Sequence, residues 1–505
     1  MRRRAVNIAH LLIEAARRWP EHPAIIFERR EISYEELDRL SDRFANALGT
    51  LGVGEAGVVA IFLESCPELL IGYLGTLKAG GVPNVVNGFL KPEEVRNIVR
   101  DSGAQLLITD PGRRRELEEV ASDLGTRHIV VTDRPSGDDG DLGFDPIVSA
   151  ATDRFEALDL APDALANLLY TSGTTGNPKG VMLSHRNVID NARNFGGIHY
   201  TAEDRLLIAA PLFHCWGLIN GVLATCVAGG TAIVVRRFQT EPVLDLIEQT
   251  RPTVFIGVPT MINFMTKSPT VGTRDLSSLR VVLCAAAPMP LELIETLRRD
   301  WKVGYAESYG LTETSPVITT THHSATRPGS CGRAMGDTSL KVADASGRAL
   351  PIGEVGELWA HGTAIASGYF RRPDATAAVF TPDGWFRTGD IARLDDEGYV
   401  TIVDRLKDMI NVGGEKVYPR DVEEVLHRHP DVADAVVLGV PDPDRGEVVM
   451  AYVVLRAGRD VSADALIDYL RPLLASFKVP RSVEFLPSIP RSASGKALRR
   501  LLQSP

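Results

Sequence analysis

Cysteine is scarce: Cys66, Cys215, Cys226, Cys284 and Cys331 are the only five in 505 residues, and no two form a CxxC pair. That usage argues against a disulfide framework and against a structural zinc cluster, and it fits a reducing cytoplasm. Long apolar runs are also lacking. No stretch of about 18 apolar residues occurs, so no transmembrane segment is expected. Basic charge falls short of acidic, 55 Lys and Arg against 65 Asp and Glu, and the net charge of -10 argues against a general affinity for nucleic acid. A polyanionic ligand would have to be held by local features. The opening MRRRA resembles the start of a signal peptide, but His10, Glu14, Arg17 and Arg18 stand where its apolar core would have to be. Ile8, Leu11, Leu12 and Ala15 instead fit one face of a helix.

With 44% hydrophobic and 24% charged residues, the composition is that of a folded globular protein. Its length allows roughly three domain-sized units. From about residue 32 to 290, helical patterns alternate with short apolar runs at 206–210, 231–235, 253–258 and 281–285. This alternation predicts an α/β fold with buried strands. Residues 134–143 and 322–332 are polar and glycine-rich and read as loops. After residue 404 the pattern changes. A helix near 419–429, strands at 435–440 and 448–455, a helix over 462–474 and a strand at 483–486 predict a small α+β domain.

The segment with most chemistry is 170–180, YTSGTTGNPKG. Its glycines let backbone N–H groups approach an anion, its hydroxyls add donors, and Lys179 brings a mobile positive charge. The spacing departs from GxxxxGK[ST], because two residues separate Gly176 from Lys179 and Gly180 follows the lysine. A kinase-type phosphate loop is therefore disfavoured. Read alone, the segment is also compatible with a surface turn.

This string resembles the phosphate-loop signature of the adenylate-forming superfamily, which includes acyl-CoA synthetases, coumarate-CoA ligases, luciferases and peptide-synthetase adenylation domains. Four more segments match in order: 307–313 (ESYGLTE), 388–390 (TGD), 404–408 (DRLKD) and 490–496 (PRSASGK). The resemblance implies a large N-terminal domain of several subdomains, its β-sheets flanked by helices, over residues 1–403. It implies a hinge at 404–407 and a small mobile α+β domain over 408–505. It also implies ATP and Mg²⁺, with coenzyme A as co-substrate.

By the same resemblance, ATP falls to Thr171, Ser172, Gly173, Thr174, Thr175, Gly176, Lys179, Ala286, Glu307, Ser308, Tyr309, Gly310, Thr312, Asp390, Arg405 and Lys496. Thr171 and Glu313 are the implied metal ligands, Tyr309 faces adenine and Asp390 takes the ribose hydroxyls. An ion pair is the alternative for Arg405. Attack of a carboxylate on the α-phosphate brings two anions together, so charge neutralisation and alignment should dominate catalysis. Lys496, protonated at neutral pH, is the first choice for the adenylation catalyst, with Thr312, Glu313 and His214 beside it. Lys407 matches the hinge residue about which the family rotates its small domain. Gly413, Gly414 and Glu415 would then line a pantetheine channel, or else form only a hairpin turn. Pyrophosphate would leave before the thiol reacts.

The acid is harder to read. His214 and Trp216 match the family's aromatic stretch beside the acyl pocket, although a core histidine and tryptophan fit equally well. Ala285, Ala287 and Gly310 are small enough for the acid to extend inward. Residues 208–212 offer no acidic anchor for an ammonium group, which counts against amino acids. The expected order is a medium- or long-chain fatty acid, then a bulky cyclic acid, then an aryl acid. Transfer to a carrier protein instead of free coenzyme A is the nearest alternative, a fold retained without catalysis is a remoter one, and a homodimer is compatible with the sequence.

Overall fold

The computed structural model describes residues 6–135, 140–171, 178–413, 415–443, 445–491 and 497–502. They form two compact units, residues 1–339 with 360–386, and residues 340–359 with 387–505. Of the expected site residues, Ser172, Gly173, Thr174, Thr175, Gly176, Gly414 and Lys496 lie outside the described set.

The larger unit is built on a nine-stranded sheet. Its centre is parallel: Pro23–Phe27, Thr231–Val234, Arg205–Ile208, Val254–Gly257, Val281–Cys284 and Gly304–Tyr309. The four apolar runs read from sequence are four of these strands, and Val254–Gly257 and Val281–Cys284 are buried at every position. Continuous burial is what helices on both faces of a parallel sheet require. A second sheet of five parallel strands is centred on Val58–Phe62 and Leu106–Thr109. Helices start where capping chemistry allows. Tyr34–Thr50 begins after Ser33, whose hydroxyl accepts the Glu36 N–H. The amphipathic N-terminal stretch forms the helix His10–Arg18, which buries Leu11, Leu12 and Ala15.

The smaller unit holds a four-stranded sheet, in which Phe386–Leu394 pairs with Val400–Arg405. It also holds a five-stranded sheet around the long hairpin Val432–Asp442 and Gly446–Leu455. The expected α+β pattern is present with shorter helices, Pro419–His427 and Ala463–Leu470. The second ends at Leu470, two residues before Pro472, which has no N–H to continue the helical hydrogen bonds.

Candidate active site

Thr171 ends the strand Leu165–Thr171 and Lys179 opens the strand Lys179–Ser184, and the two residues face each other as the last pair of an antiparallel hairpin. The phosphate-loop string therefore has its two described ends side by side. Two more segments leave adjacent parallel strands at their carboxyl ends, where ligands of open α/β sheets commonly bind. Val281–Cys284 runs into Ala285–Ala287, and Gly304–Tyr309 runs into 310–313, with Cys284 opposite Glu307. The Met289 N–H donates to Glu307 Oε1 at 2.9 Å and ties the first segment to the second strand. Ala285 is buried, whereas Ala286 and Ala287 are exposed. Ala286 has φ +73°, a left-handed backbone that costs a non-glycine residue about 1–2 kcal/mol.

Gly310 is required by contact. A Cβ there would stand 1.7 Å from the Pro316 carbonyl oxygen. The turn beyond it is closed by Thr314, whose hydroxyl accepts the Leu311 N–H at 2.8 Å and donates to the Pro316 carbonyl at 2.6 Å. Glu313 is thereby held at a buried position. Its Oε1 accepts the Tyr369 hydroxyl at 2.8 Å, and the Lys179 ammonium lies 5.0 Å from the centre of the Tyr369 ring. Lys179, from the phosphate string, and Glu313, from the expected metal segment, thus share one tyrosine. Sequence reasoning passed over Tyr369. It lies in SGYFRRPD, and nothing local in that stretch distinguishes it from ordinary packing.

Glu313 offers a hard carboxylate oxygen with its orientation fixed, which fits Mg²⁺. Among the described residues no cluster of three or more His, Cys, Asp or Glu side chains is arranged for a metal. The cation would rest on Glu313 together with nucleotide phosphates, a mode that magnesium commonly uses.

The aromatic segment 213–216 comes next to this turn, since Cys215 Sγ lies 3.8 Å from Thr312 Oγ1. Burial pushes the Cys215 thiol up to about 11, so it stays protonated, in keeping with a mechanism that uses no cysteine nucleophile. Trp216 is buried, donates its indole N–H to the Gly257 carbonyl at 3.0 Å and packs edge-on against Phe195. It opens a π-helical segment, Trp216–Leu223, a rare form found often at functional sites. His214 is half-buried against the ring of Phe213. Ser308 and Thr320 share a hydrogen bond of 2.9 Å, and Thr320 in turn meets His199 Nε2 at 2.9 Å. Burial lowers the His199 imidazole to about 3, so it is neutral there. This buried polar chain, beginning in the 307–313 segment, was also not foreseen.

In the smaller unit, Asp390 and Arg405 are opposite each other across paired strands, and Arg405 Nε meets Asp390 Oδ1 at 2.8 Å. The ion pair is the observed arrangement of Arg405, whose guanidinium is 37% exposed. Asp404 braces the expected hinge. Its carboxylate accepts the N–H groups of Arg405 at 2.7 Å and Arg420 at 2.9 Å. Lys407 sits in the short turn Leu406–Asp408, exposed at its surface, where partial desolvation lowers its pKa. Gly413 and Glu415 flank the turn of a hairpin between Ile410–Val412 and Glu415–Val417. The segment that carries Lys496 is flanked by two anchored arginines. Arg491 bonds Asp434 at 2.6 Å, Arg499 bonds Glu423 at 2.8 Å, and Arg491 bridges to Ala497.

Comparison with known proteins agrees over nearly the whole chain. The AMP-binding enzyme family matches residues 12–370, and its C-terminal domain matches residues 421–496. A feruloyl-CoA synthase from Amycolatopsis sp is 38% identical over 490 residues, covering 96% of each protein. Among solved structures, the anthranilate CoA ligase AuaEII in complex with anthranoyl-AMP aligns with a TM-score of 0.93 at 27% identity, over 99% of this chain and 97% of that one. ATP-bound MatB from Rhodopseudomonas palustris aligns with a TM-score of 0.91 at 32% identity, over 99% and 98%. The chain belongs to the AMP-binding enzyme family, and it is an adenylate-forming acid–thiol ligase of the CoA-ligase type.

Proposed function

We propose that this enzyme activates an aryl carboxylic acid with ATP and transfers the acyl group to coenzyme A. The observation that carries this reading is the 38% identity, over 96% of the chain, to a protein named feruloyl-CoA synthase. It moves the aryl acid, placed last from sequence, ahead of the fatty acid placed first. The buried ring of Trp216, edge-on to Phe195, and the ring of Phe213 beside His214 put aromatic side chains in the segment expected at the acyl pocket, which supports an aromatic acid.

In the first step a carboxylate oxygen of the acid bonds to the α-phosphorus of ATP, and the bond to the departing pyrophosphate breaks. Lys179 and the hydroxyls of its loop draw the phosphates in, and Thr312 reaches the α-phosphate. Lys496 offsets the charge of the incoming carboxylate and of the transition state. Asp390 accepts hydrogen bonds from the ribose hydroxyls, with Arg405 holding its orientation. Glu313 and Thr171 would hold a magnesium ion, which would neutralise phosphate charge. His214 orients the carboxylate, and Ala285, Ala287 and Gly310 leave room for the ring.

In the second step the thiol sulfur of coenzyme A bonds to the acyl carbon and AMP leaves. Rotation about Lys407 exchanges Lys496 for the Gly413–Glu415 hairpin between the steps. The scarcity of the thiols, four of the five buried, supports a cytoplasmic setting, and no described helix is long and apolar enough to cross a membrane.

A panel of carboxylic acids with ATP, Mg²⁺ and coenzyme A, scored for AMP and thioester together, tests this reading. Cinnamic- or benzoic-type acids should give both products in equal amounts and outpace every fatty acid. Faster turnover of a fatty acid than of any aryl acid would restore the order expected from sequence.

A further inference from the structure

The strand that opens with Lys179 and the turn that carries Glu313 are joined by one short segment, 366–370. The Phe370 N–H donates to the Gly180 carbonyl at 2.8 Å, the Met182 N–H to the Gly368 carbonyl at 3.0 Å, and the Ser367 N–H to the Met182 carbonyl at 3.2 Å. At its other end the Ala366 N–H donates to the Glu313 carbonyl at 2.9 Å. Tyr369 stands within this brace. Its hydroxyl donates to Glu313 Oε1, and its ring face lies under the Lys179 ammonium. The tyrosine is itself fixed, since its N–H donates to the Thr376 hydroxyl at 2.9 Å and its ring packs edge-on against Phe380.

We propose that Tyr369 is a positioning residue that aims Glu313 at a divalent cation carried by nucleotide phosphates, while its ring holds Lys179 beside the same phosphates. The inference rests on the nucleotide reading of the site above. A carboxylate bound through one oxygen to a phenol loses its freedom to rotate and presents the other oxygen, Oε2, in a fixed direction. Partners of this kind behind a metal ligand commonly change metal affinity by about 10- to 100-fold when removed. The phenol hydroxyl carries the shared hydrogen, so Tyr369 acts on the carboxylate as a donor. The ring contributes separately, because a cation within about 6 Å of an aromatic face is attracted to it.

Two variants separate the hydroxyl from the ring. Tyr369→Phe keeps the face beneath Lys179 and removes only the donor, whereas Tyr369→Leu removes both. Binding is read on the full chain without acid or coenzyme A, using Mn²⁺·ATP by electron paramagnetic resonance and metal-free ATP in EDTA by calorimetry. Tyr369→Phe should bind Mn²⁺·ATP about tenfold more weakly and metal-free ATP with unchanged affinity. Tyr369→Leu should in addition weaken metal-free ATP by about threefold. Wild-type affinity of Tyr369→Phe for Mn²⁺·ATP would overturn the proposal, as would equal weakening of both forms, which marks a merely structural role. A wild-type protein that binds neither form overturns the nucleotide reading itself, and this inference with it.

Discussion

The two compact units hold their polar groups in different ways. In the larger one, Glu313 is buried in a closed turn, backed by Tyr369 and cross-linked through backbone hydrogen bonds to the strand of Lys179. In the smaller one, partly exposed arginines pair with more buried carboxylates: Arg405 with Asp390, Arg491 with Asp434 and Arg499 with Glu423. A backbone brace fixes a group through the main chain, whereas an ion pair holds its groups only through side chains. The first suits a site that must stand ready for the phosphates.

The largest expected effect separates delivery from readiness. Lys496→Ala should lower adenylation by about 10²- to 10³-fold, the scale of losing one group aimed at developing charge. ATP binding and thioester formation from supplied acyl-adenylate should survive. Pre-steady-state assay of each half-reaction checks this, and equal loss of both would remove the distinction between the two regions. Next comes the rigid side. Gly310→Ala places a methyl group into the Pro316 carbonyl and should cost about 3 kcal/mol in urea unfolding, with adenylation lost. A variant of wild-type stability and activity would show that the turn is not braced as described.

On the ion-paired side, Asp390→Asn should raise the KM for ATP about tenfold, equivalent to about 1.4 kcal/mol, with a smaller change in kcat. An unchanged KM would leave Asp390 as no more than the partner of Arg405. The buried side can be tested by pH through His199, which burial lowers from about 6.5 to about 3. The unfolded chain binds the extra proton below about 6.5, so the neutral imidazole's contribution is complete above that pH and is lost as pH falls toward 3. His199→Gln should flatten the acid limb of a stability curve between those values, by at most about 1.4 kcal/mol per pH unit. An acid limb identical to wild type would place the titration elsewhere.

The motif strings were legible because phosphate binding draws on local chemistry, glycines and hydroxyls gathered in the short stretch 170–180 around Lys179. The parallel sheet was legible because strands covered on both faces must be apolar throughout. The Glu313–Tyr369–Lys179 contact was not, since the three residues are far apart in the chain and only folding brings them together. Arg405 remained ambiguous because the register that places it opposite Asp390 is a property of strand pairing, not of either motif. The order of acids was read from small residues such as Ala285 and Ala287, whereas the contact of Trp216 with Phe195 joins separate helical segments and could not be read from either.

Formation of an acyl-adenylate before coenzyme A acts is tested most directly by exchange of labelled pyrophosphate into ATP in the absence of coenzyme A. The two-step chemistry predicts exchange that requires both Mg²⁺ and an aryl acid. Binding of ATP and acid with no acid-dependent exchange, or release of ADP in place of AMP when coenzyme A is added, would contradict it.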